Sequence, residues 1–584
     1  MWFQIDAGIV EEILLVAELC GIQSGKFSPD VRPSDPRFGD FQANGILPYA
    51  REHGLNPRQV AEKVAAKLRM NELFANKIDI DVAGPGFINF KLSNSFLSEW
   101  INAYKSEDDY RAAVSSKLSG KRIVIDYSSP NTAKQMHVGH LRSMNIGEAI
   151  RNILKFCGAE VISDNHIGDW GTQFGILIAA IKASGVNIAT LTLDEIENLY
   201  QRGNALVQGD GMALAAARNE LVKLQSGDGD NAKIWEKIVE ISKSSFDEIY
   251  RDMGISFDYT LGESFYRDRV DRVYDELEGE KIAVMSDGAL CVFHGDHDRF
   301  KEQPFIVRKA DGASNYATTD LATVLYRTEE LRADTLIYVT DGRQQDHFQQ
   351  LFLTVRKWYA AFGRPCPEMR HVWFGMILGE DGKAIKTRAG TPVKLKELLA
   401  EAKSRALAVI NERSENLSDS ERELVAKVIG IDSVKYIDLL SNRTNDYVFS
   451  WEKMLSFDGN TATYLLYAIA RMKSILRKSI LRKCGSSPDG VSVDCLETEE
   501  ERNLVRKLTY FPIVLSQAVD DLRPHHICTY LFELTGEYST FYNANRVIGE
   551  AENVASRRLT IILRTLSVLE TGMGLLGLET IEKM

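Results

Sequence analysis

A chain of 584 residues with 44% hydrophobic side chains can bury several cores, and its length alone predicts about three or four domains. Its net charge of −12 excludes a surface uniformly suited to nucleic acid, because phosphate contacts need clustered Lys and Arg, so any RNA contact has to be a local patch. Apolar runs such as Ile176 to Ile181 stop far short of the ~20 residues of a membrane span, and the start carries Glu11, Glu12 and Glu18 in place of a basic, cleavable leader, so a cytoplasmic protein is expected.

Residues 1–115 read as an α+β domain. Apolar spacing predicts helices around Ile9 to Cys20 and Pro57 to Lys67, and period-2 alternation from Ile78 to Leu92 predicts strands broken at Gly84-Pro85-Gly86. Ser106 to Asp109 and Ser115 to Lys117 read as a polar linker. Residues 116–390 open on the β-branched run Lys121 to Asp126, followed by a helix from Gly139 to Phe156 and a strand at Val161 to Ser163. Strand, helix and strand in that order make a βαβ unit with parallel strands. Runs at Thr335 to Thr340 and His371 to Leu378 extend it, and a largely helical insertion occupies about 185–300. Beyond Pro392 strand signals nearly vanish: 391–455 reads as a helical connecting region and 456–584 as a helical bundle, with amphipathic runs Leu395 to Asn411, Tyr464 to Lys483 and Arg557 to Leu576. The expected fold class is multidomain α/β: a doubly wound, Rossmann-like parallel sheet, an N-terminal α+β domain and a C-terminal α-helical bundle. Gly572 to Gly577 fits G-x-G-x-x-G, but it follows a helical pattern and has only seven residues after it, so it reads as a helix end.

The segment Ser128-Ser129-Pro130-Asn131-Thr132-Ala133-Lys134-Gln135-Met136-His137-Val138-Gly139-His140 falls between a predicted strand and a predicted helix. A helix N-terminus there offers free N–H groups and a positive dipole end to phosphate, and Gly139 leaves room for close approach. His137 and His140 can donate to phosphate oxygens, can join His166 and Asp169 as metal ligands, or can be satisfied core histidines. Spacing leaves all three open; strand context and the neighbouring Lys134 favour phosphate. The seven cysteines are odd in number and never spaced C-x-x-C, which suggests neither a disulfide framework nor a zinc site.

His137-Val138-Gly139-His140 resembles the HIGH signature of class I aminoacyl-tRNA synthetases. Ser129-Pro130-Asn131, Ala133-Lys134, His140-Leu141-Arg142-Ser143 and Asn165 to Gly175 are similar to the arginine-specific branch, as are Gly39 to Asn44, Gly84 to Phe90 and Gly459 to Tyr464. The resemblance implies an enzyme that activates L-arginine with ATP to arginyl-adenylate and pyrophosphate. It then transfers arginine to the 3′ terminal ribose of tRNA(Arg) in translation, with Mg²⁺ carried on the ATP, no tightly bound protein metal, and a monomeric state. It implies catalytic roles for His137, His140 and Lys134, with Gly139, Lys383 and Lys386 joining them around ATP. The family's second signature, KMSKS, is matched poorly by Gly379 to Gly390, where Thr387 falls at the second lysine; in the arginine branch a lysine just before HIGH substitutes, here Lys134. Glu263 and Asp320 are implied as guanidinium partners, Tyr316 packs on the guanidinium face, and Asn131 and Gln344 hold the amino and carboxylate ends. Tyr316 and Asp320 stand at i and i+4 on a predicted helix, so both can face one site. The same resemblance makes 1–115 and 391–455 transfer-RNA-contacting and 456–584 anticodon-binding. There Arg471, Lys478 and Arg482 form a stripe that is otherwise a solvated face, and Tyr464 and Tyr542 can stack on bases or pack in the core.

Overall fold

The computed structural model describes residues 1–72, 74–310, 315–385, 392–413, 417–481 and 491–584, without the side chains of Ser24, Arg413, Ile480 and Leu481. Lys386, Thr387, Arg482 and Lys483, singled out above, lie outside the described residues. The backbone gathers into two compact units, one of Met1–Lys117, Ser414–Val428 and Ser456–Met584, the other of Leu118–Arg413 and Ile429–Leu455.

In the first unit, the helix Pro57–Arg69 begins with Pro at its first position behind Asn56, whose side chain accepts from the Gln59 N–H. Ile78–Ala83 and Phe87–Leu92 form an antiparallel hairpin, and the turn between them puts Gly84 at φ 54° and Gly86 at φ 141°, conformations that favour glycine. The expected linker is instead partly helix. Ser106 and Asp109 make a capping box that starts Glu107–Val114, and Tyr110 buries its ring 5.7 Å from Phe511. The S-x-x-D spacing that signals this start competes in the sequence with a polar composition that suggests a loop. The helices Ala462–Leu481, Glu499–Leu508, Phe511–Asp521, His525–Ala544 and Glu552–Leu575 make the carboxy-terminal part of the unit. They are tied to the N-terminal segment through Asp40, which is 1% exposed and ion-pairs with Arg502 at 2.9 Å and Arg506 at 3.6 Å. Asn102 adds a reciprocal pair with the Val493 backbone, donating to its carbonyl and accepting from its N–H.

The second unit carries four parallel strands in the order Glu368–His371, Thr335–Tyr338, Arg122–Asp126, Glu160–Asp164. The first strand in the chain therefore has the second on one side and the third on the other. That reversal makes a switch point, and the crevice at the carboxyl ends of such strands is where open α/β sheets bind ligands. The strand expected at His371 to Leu378 is corrected: the sheet strand is Glu368–His371, and Ile377–Leu378 pairs instead with Tyr447–Val448. The break falls at Gly375, where an added Cβ would lie 2.5 Å from Asp446 Oδ1 and 2.7 Å from the Asn445 backbone. Val372, Phe374 and Ile377 are buried on both sides of the break, so apolar patterning alone does not reveal it.

The insertion is helical through Leu193–Gly209, Gly211–Gln225 and Gly229–Met253, and Ile196, Leu224 and Ile238 share a core with Phe174, Leu177 and Ile178. Its end is not helical. Ala283–Ser286, Ala289–Val292 and Phe305–Arg308 make an antiparallel sheet, with Asp287 and Gly288 at φ 48° and 80° in a two-residue turn. An Asp-Gly pair between apolar runs is the usual signal for such a hairpin. Among the described residues no helix is long and apolar enough to cross a membrane.

Candidate active site

The chain leaves the strand Arg122–Asp126 through a loop that enters the helix Val138–Phe156. Ser128, Ser129 and Ala133 in this loop have φ of 74°, 47° and 64°, a conformation costing a side-chain-bearing residue about 1–2 kcal/mol. Such strain persists only where the surroundings over-determine it. Here the Ser128 N–H donates to Ser143 Oγ, Ser129 N–H to Asn165 Oδ1, Thr132 N–H to the Gly168 carbonyl and Ala133 N–H to Ser242 Oγ, all within 2.9–3.1 Å. Beneath the loop, Asp126 and Asp164 are register partners and both accept from Nη2 of the buried Arg327, at 2.6 and 2.8 Å. Ser129 Oγ donates to Asp126, joining the strained loop to this buried triad.

His137 caps the helix. Its Nδ1 accepts from the Gly139 N–H at 3.0 Å, and the His137 N–H donates to Nδ1 of His140 at 3.1 Å. His137 Nδ1 is an acceptor here, which leaves the proton of its ring on Nε2 as the remaining donor, while His140 Nδ1 also lies 3.2 Å from the His137 carbonyl. Gly139 is needed for this arrangement, because a Cβ there would come within 2.8 Å of the His137 ring. Burial and the adjacent His137 push the His140 imidazole down to about 4; burial, then Arg343 and Lys134, lowers His137 as well. Both rings are therefore neutral near pH 7. Lys134 is exposed, with its ammonium 5.3 Å over the Tyr200 ring.

On the far side of the loop, Asn131 and Gly168 form a parallel bridge, and a Cβ at Gly168 would lie 2.1 Å from Asn131 Oδ1. Asp169 accepts from the Ser264 N–H and hydroxyl at 2.8 and 2.7 Å, placing Glu263 at the start of a short helix. Burial, then the charges of Asp320 and Asp169, raises the Glu263 carboxyl to about 8. Asp320 lies one turn along the helix Tyr316–Glu329, which Asn315 caps. Tyr316, at the helix start, is 69% exposed, and its hydroxyl is raised by burial and by Glu263 and Asp320. Glu263, Tyr316 and Asp320 thus come together around an acidic pocket suited to a planar cation. Gln344 is exposed and closes the turn Gly342–Gln344 that follows the strand Thr335–Tyr338, at the other edge of the switch point.

Sequence reasoning passed over two residues here. Arg343, paired with Asp341 at 2.5 Å, is close enough to His137 to disfavour its protonation. His347, on the next helix, meets Asp320 at 2.5 Å. Neither has a local signal: both depend on a turn that folds back beside elements 27 to 206 positions away. Lys383 is exposed, and its N–H donates to Asp381. The segment Val393 to Leu395 runs beside the histidines, with Val138 N–H donating to the Val393 carbonyl and Leu395 N–H to the Met136 carbonyl. Among the described residues no three His, Cys, Asp or Glu side chains group to hold a metal ion, and His137 and His140 direct Nδ1 at the helix end.

In the first unit, Arg471 lies over the rings of Tyr467 and Tyr542, at 4.5 and 5.4 Å, and both tyrosines are exposed. Lys478 is exposed. Tyr464 is half-buried against Phe532 at 5.7 Å, so its ring packs in the bundle. Lys473 and Arg477 are paired with Glu582.

Residues 105–451 match the family model described as tRNA synthetases class I (R), catalytic domain, so the parallel sheet with its capped histidines is a class I synthetase catalytic domain. Residues 11–92 match the arginyl tRNA synthetase N terminal domain, and 465–584 the DALR anticodon binding domain. The arginine–tRNA ligase of Laribacter hongkongensis is 40% identical, over 95% of this chain and 96% of its own length. That of Vibrio vulnificus is 39% identical, over 99% and 100%. Among solved structures, arginyl-tRNA synthetase from Plasmodium falciparum aligns with a TM-score of 0.84 at 28% identity, covering 100% of this chain and 99% of its own. The chain belongs to the arginyl-tRNA synthetase family.

Proposed function

We propose that this chain activates L-arginine with ATP and transfers it to the 3′ terminal ribose of tRNA(Arg), using the residues gathered at the switch point. The observation that carries the reading is the pairing of neutral imidazole donors at a helix N-terminus with a half-buried carboxylate pocket across one strained loop. Glu263 and Asp320 accept from the guanidinium, Tyr316 lies against its face, and Asn131 and Gln344 hold the amino and carboxylate ends. The arginine carboxylate attacks the α-phosphorus of ATP in line, and pyrophosphate leaves. His137 and His140 donate from Nε2, Lys134 and Lys383 supply positive charge, and the positive end of the helix dipole lies behind the two rings. Mg²⁺ carried on ATP would add to the charge neutralisation that His137, His140 and Lys134 supply. No protein group is assigned as base for the transfer step, so the protein's contribution is orientation and charge stabilisation.

Exposed Tyr467 and Tyr542, with Arg471 between them, suit stacking on unpaired bases, and Lys478 extends the basic stripe. Tyr464 is left as a packing residue. A monomer working in the cytoplasm is part of the same proposal. The test is charging of unfractionated transfer RNA with each radiolabelled amino acid, ATP and Mg²⁺. Label with arginine alone is expected; label with a different amino acid, or with none, rejects the reading.

Glu263 gives the pocket a pH signature. In the arginine-free protein its carboxyl holds a proton up to about pH 8, whereas a bound guanidinium requires the carboxylate. The arginine KM should therefore fall as pH rises from 6 to 8, approaching tenfold per unit, and level off above 8. Stability runs the other way: the raised folded-state value stabilises the fold below the ordinary glutamate range, and that contribution is lost as pH climbs through about 8. Glu263→Gln should make both profiles shallower, as measured by KM in charging assays and by Tm across the same range.

A further inference from the structure

Asp320 does not stand alone in the pocket. His347, near the start of the helix Gln345–Ala361, brings Nε2 to 2.5 Å from Asp320 Oδ2, leaving Oδ1 for another partner. Two aromatic rings hold the imidazole. The Phe305 ring lies 5.7 Å away on the neighbouring antiparallel sheet, Phe348 lies 5.3 Å away edge-on, and Phe348 in turn lies tilted 4.5 Å from His371. With the ring fixed, the Asp320 carboxylate has one orientation in which its Nε2 bond is kept.

We propose that His347 is the positioning residue of the arginine pocket, clamping Asp320 through one oxygen so that the other meets the guanidinium, and releasing its own proton to solvent when that cation arrives. This rests on the function proposed above. The charge logic is local. Asp320 is the anion facing His347; the other titratable group acting on it is His371, across Phe348, and Glu263 lies beyond Asp320 in the pocket. His371 is held neutral by burial, pushed down to about 4, and accepts or donates through Nε2 with Thr340 at 2.8 Å. Burial disfavours the His347 imidazolium, yet the hydrogen bond and charge of Asp320 outweigh it and raise the ring above its ordinary value. A guanidinium placed on Asp320 supplies the positive charge that the imidazolium supplied before. The ring then loses Nδ1–H to solvent while keeping Nε2–H on Asp320, so the clamp survives and one positive charge replaces another.

The experiment is calorimetric titration of the full chain with L-arginine between pH 6 and 8, in phosphate and in Tris, whose different ionisation heats give the number of protons released. His347→Gln keeps an amide donor in place of Nε2 but cannot titrate. It should bind arginine within roughly threefold of the wild type while releasing fewer protons, by up to about one per site. His347→Ala should raise the arginine KM by roughly tenfold or more while the ATP KM stays within about twofold, as loss of a hydrogen bond to a charged group predicts. Equal proton release by His347→Gln and wild type overturns the proposal, as does an unchanged arginine KM in His347→Ala. Those outcomes leave wild-type arginine binding intact, whereas absence of arginine heat in the wild type removes the proposed function itself, and this inference with it.

Discussion

Asp320→Ala is expected to lower kcat/KM for arginine by roughly 30- to 5000-fold, with the ATP KM within about twofold of wild type. Removing one member of a partly buried charge pair costs about 2–5 kcal/mol, because the group left behind is desolvated without its partner. On the proposed assignment the group left behind is the substrate guanidinium, whereas His137 and His140 hydrogen-bond at the helix end and Lys134 lies over Tyr200, apart from the Asp320–His347 pair. The loss should therefore fall on arginine. Asp320→Asn separates charge from shape: its amide can still meet His347, so Tm should hold while kcat/KM for arginine drops nearly as far. Steady-state kinetics in both substrates checks this, and unchanged arginine kinetics in Asp320→Ala would remove Asp320 from the pocket.

His140→Ala should reduce ATP–pyrophosphate exchange, measured with transfer RNA and arginine present, by roughly 10²–10³-fold. Loss of one preorganised donor facing developing charge typically has that size. The same substitution deletes the acceptor for the His137 N–H, so a stability loss of about 1 kcal/mol should accompany it. His140→Asn tells the two effects apart, since an amide oxygen at this position can accept from the His137 N–H but offers nothing at Nε2. Stability should return and exchange should not. Transfer-RNA binding should stay within about twofold in both variants. Because burial keeps the His140 ring neutral down to about pH 4, its contribution should show no pH dependence between 5 and 8.

The parts of this fold that were readable in the sequence are those where local rules and tertiary packing agree. The run Arg122–Asp126, the helix to Phe156 and the strand Glu160–Asp164 show it, and so does the hairpin around Gly84-Pro85-Gly86. Failures fall where packing overrides pattern. His371 to Leu378 is uniformly apolar enough to look like one strand, yet the backbone approach of Asn445 at Gly375 divides it between two sheets. Ser106 to Asp109 has a loop's composition and a helix's cap. The Asp287-Gly288 hairpin carried its own signal inside a stretch dominated by helical charge patterning. At the site, Gly139 was assigned to ligand access, whereas the structure gives it the more immediate task of admitting the His137 ring. Glu263, Tyr316 and Asp320 came from resemblance rather than from physics, since nothing in their local spacing reports that residues 53 or more apart share one pocket. His347 was absent from both routes: it touches no motif, and only the folded helix brings it to Asp320.

The pairing of Asp40 with Arg502 and Arg506 has a consequence during synthesis. A carboxylate that is nearly inaccessible in the finished protein emerges more than 450 positions ahead of the guanidinium groups that neutralise it. At elongation rates of about 5–20 residues per second, that separation is a wait of roughly 20–90 s. Through that interval the amino-terminal sheet can form its hairpin, but the face destined for the last helices stays wet and uncovered. Completion of this unit is thus postponed until translation is almost over, while the parallel-sheet unit, drawn from the middle of the message, has nearly all of its own strands in hand well before.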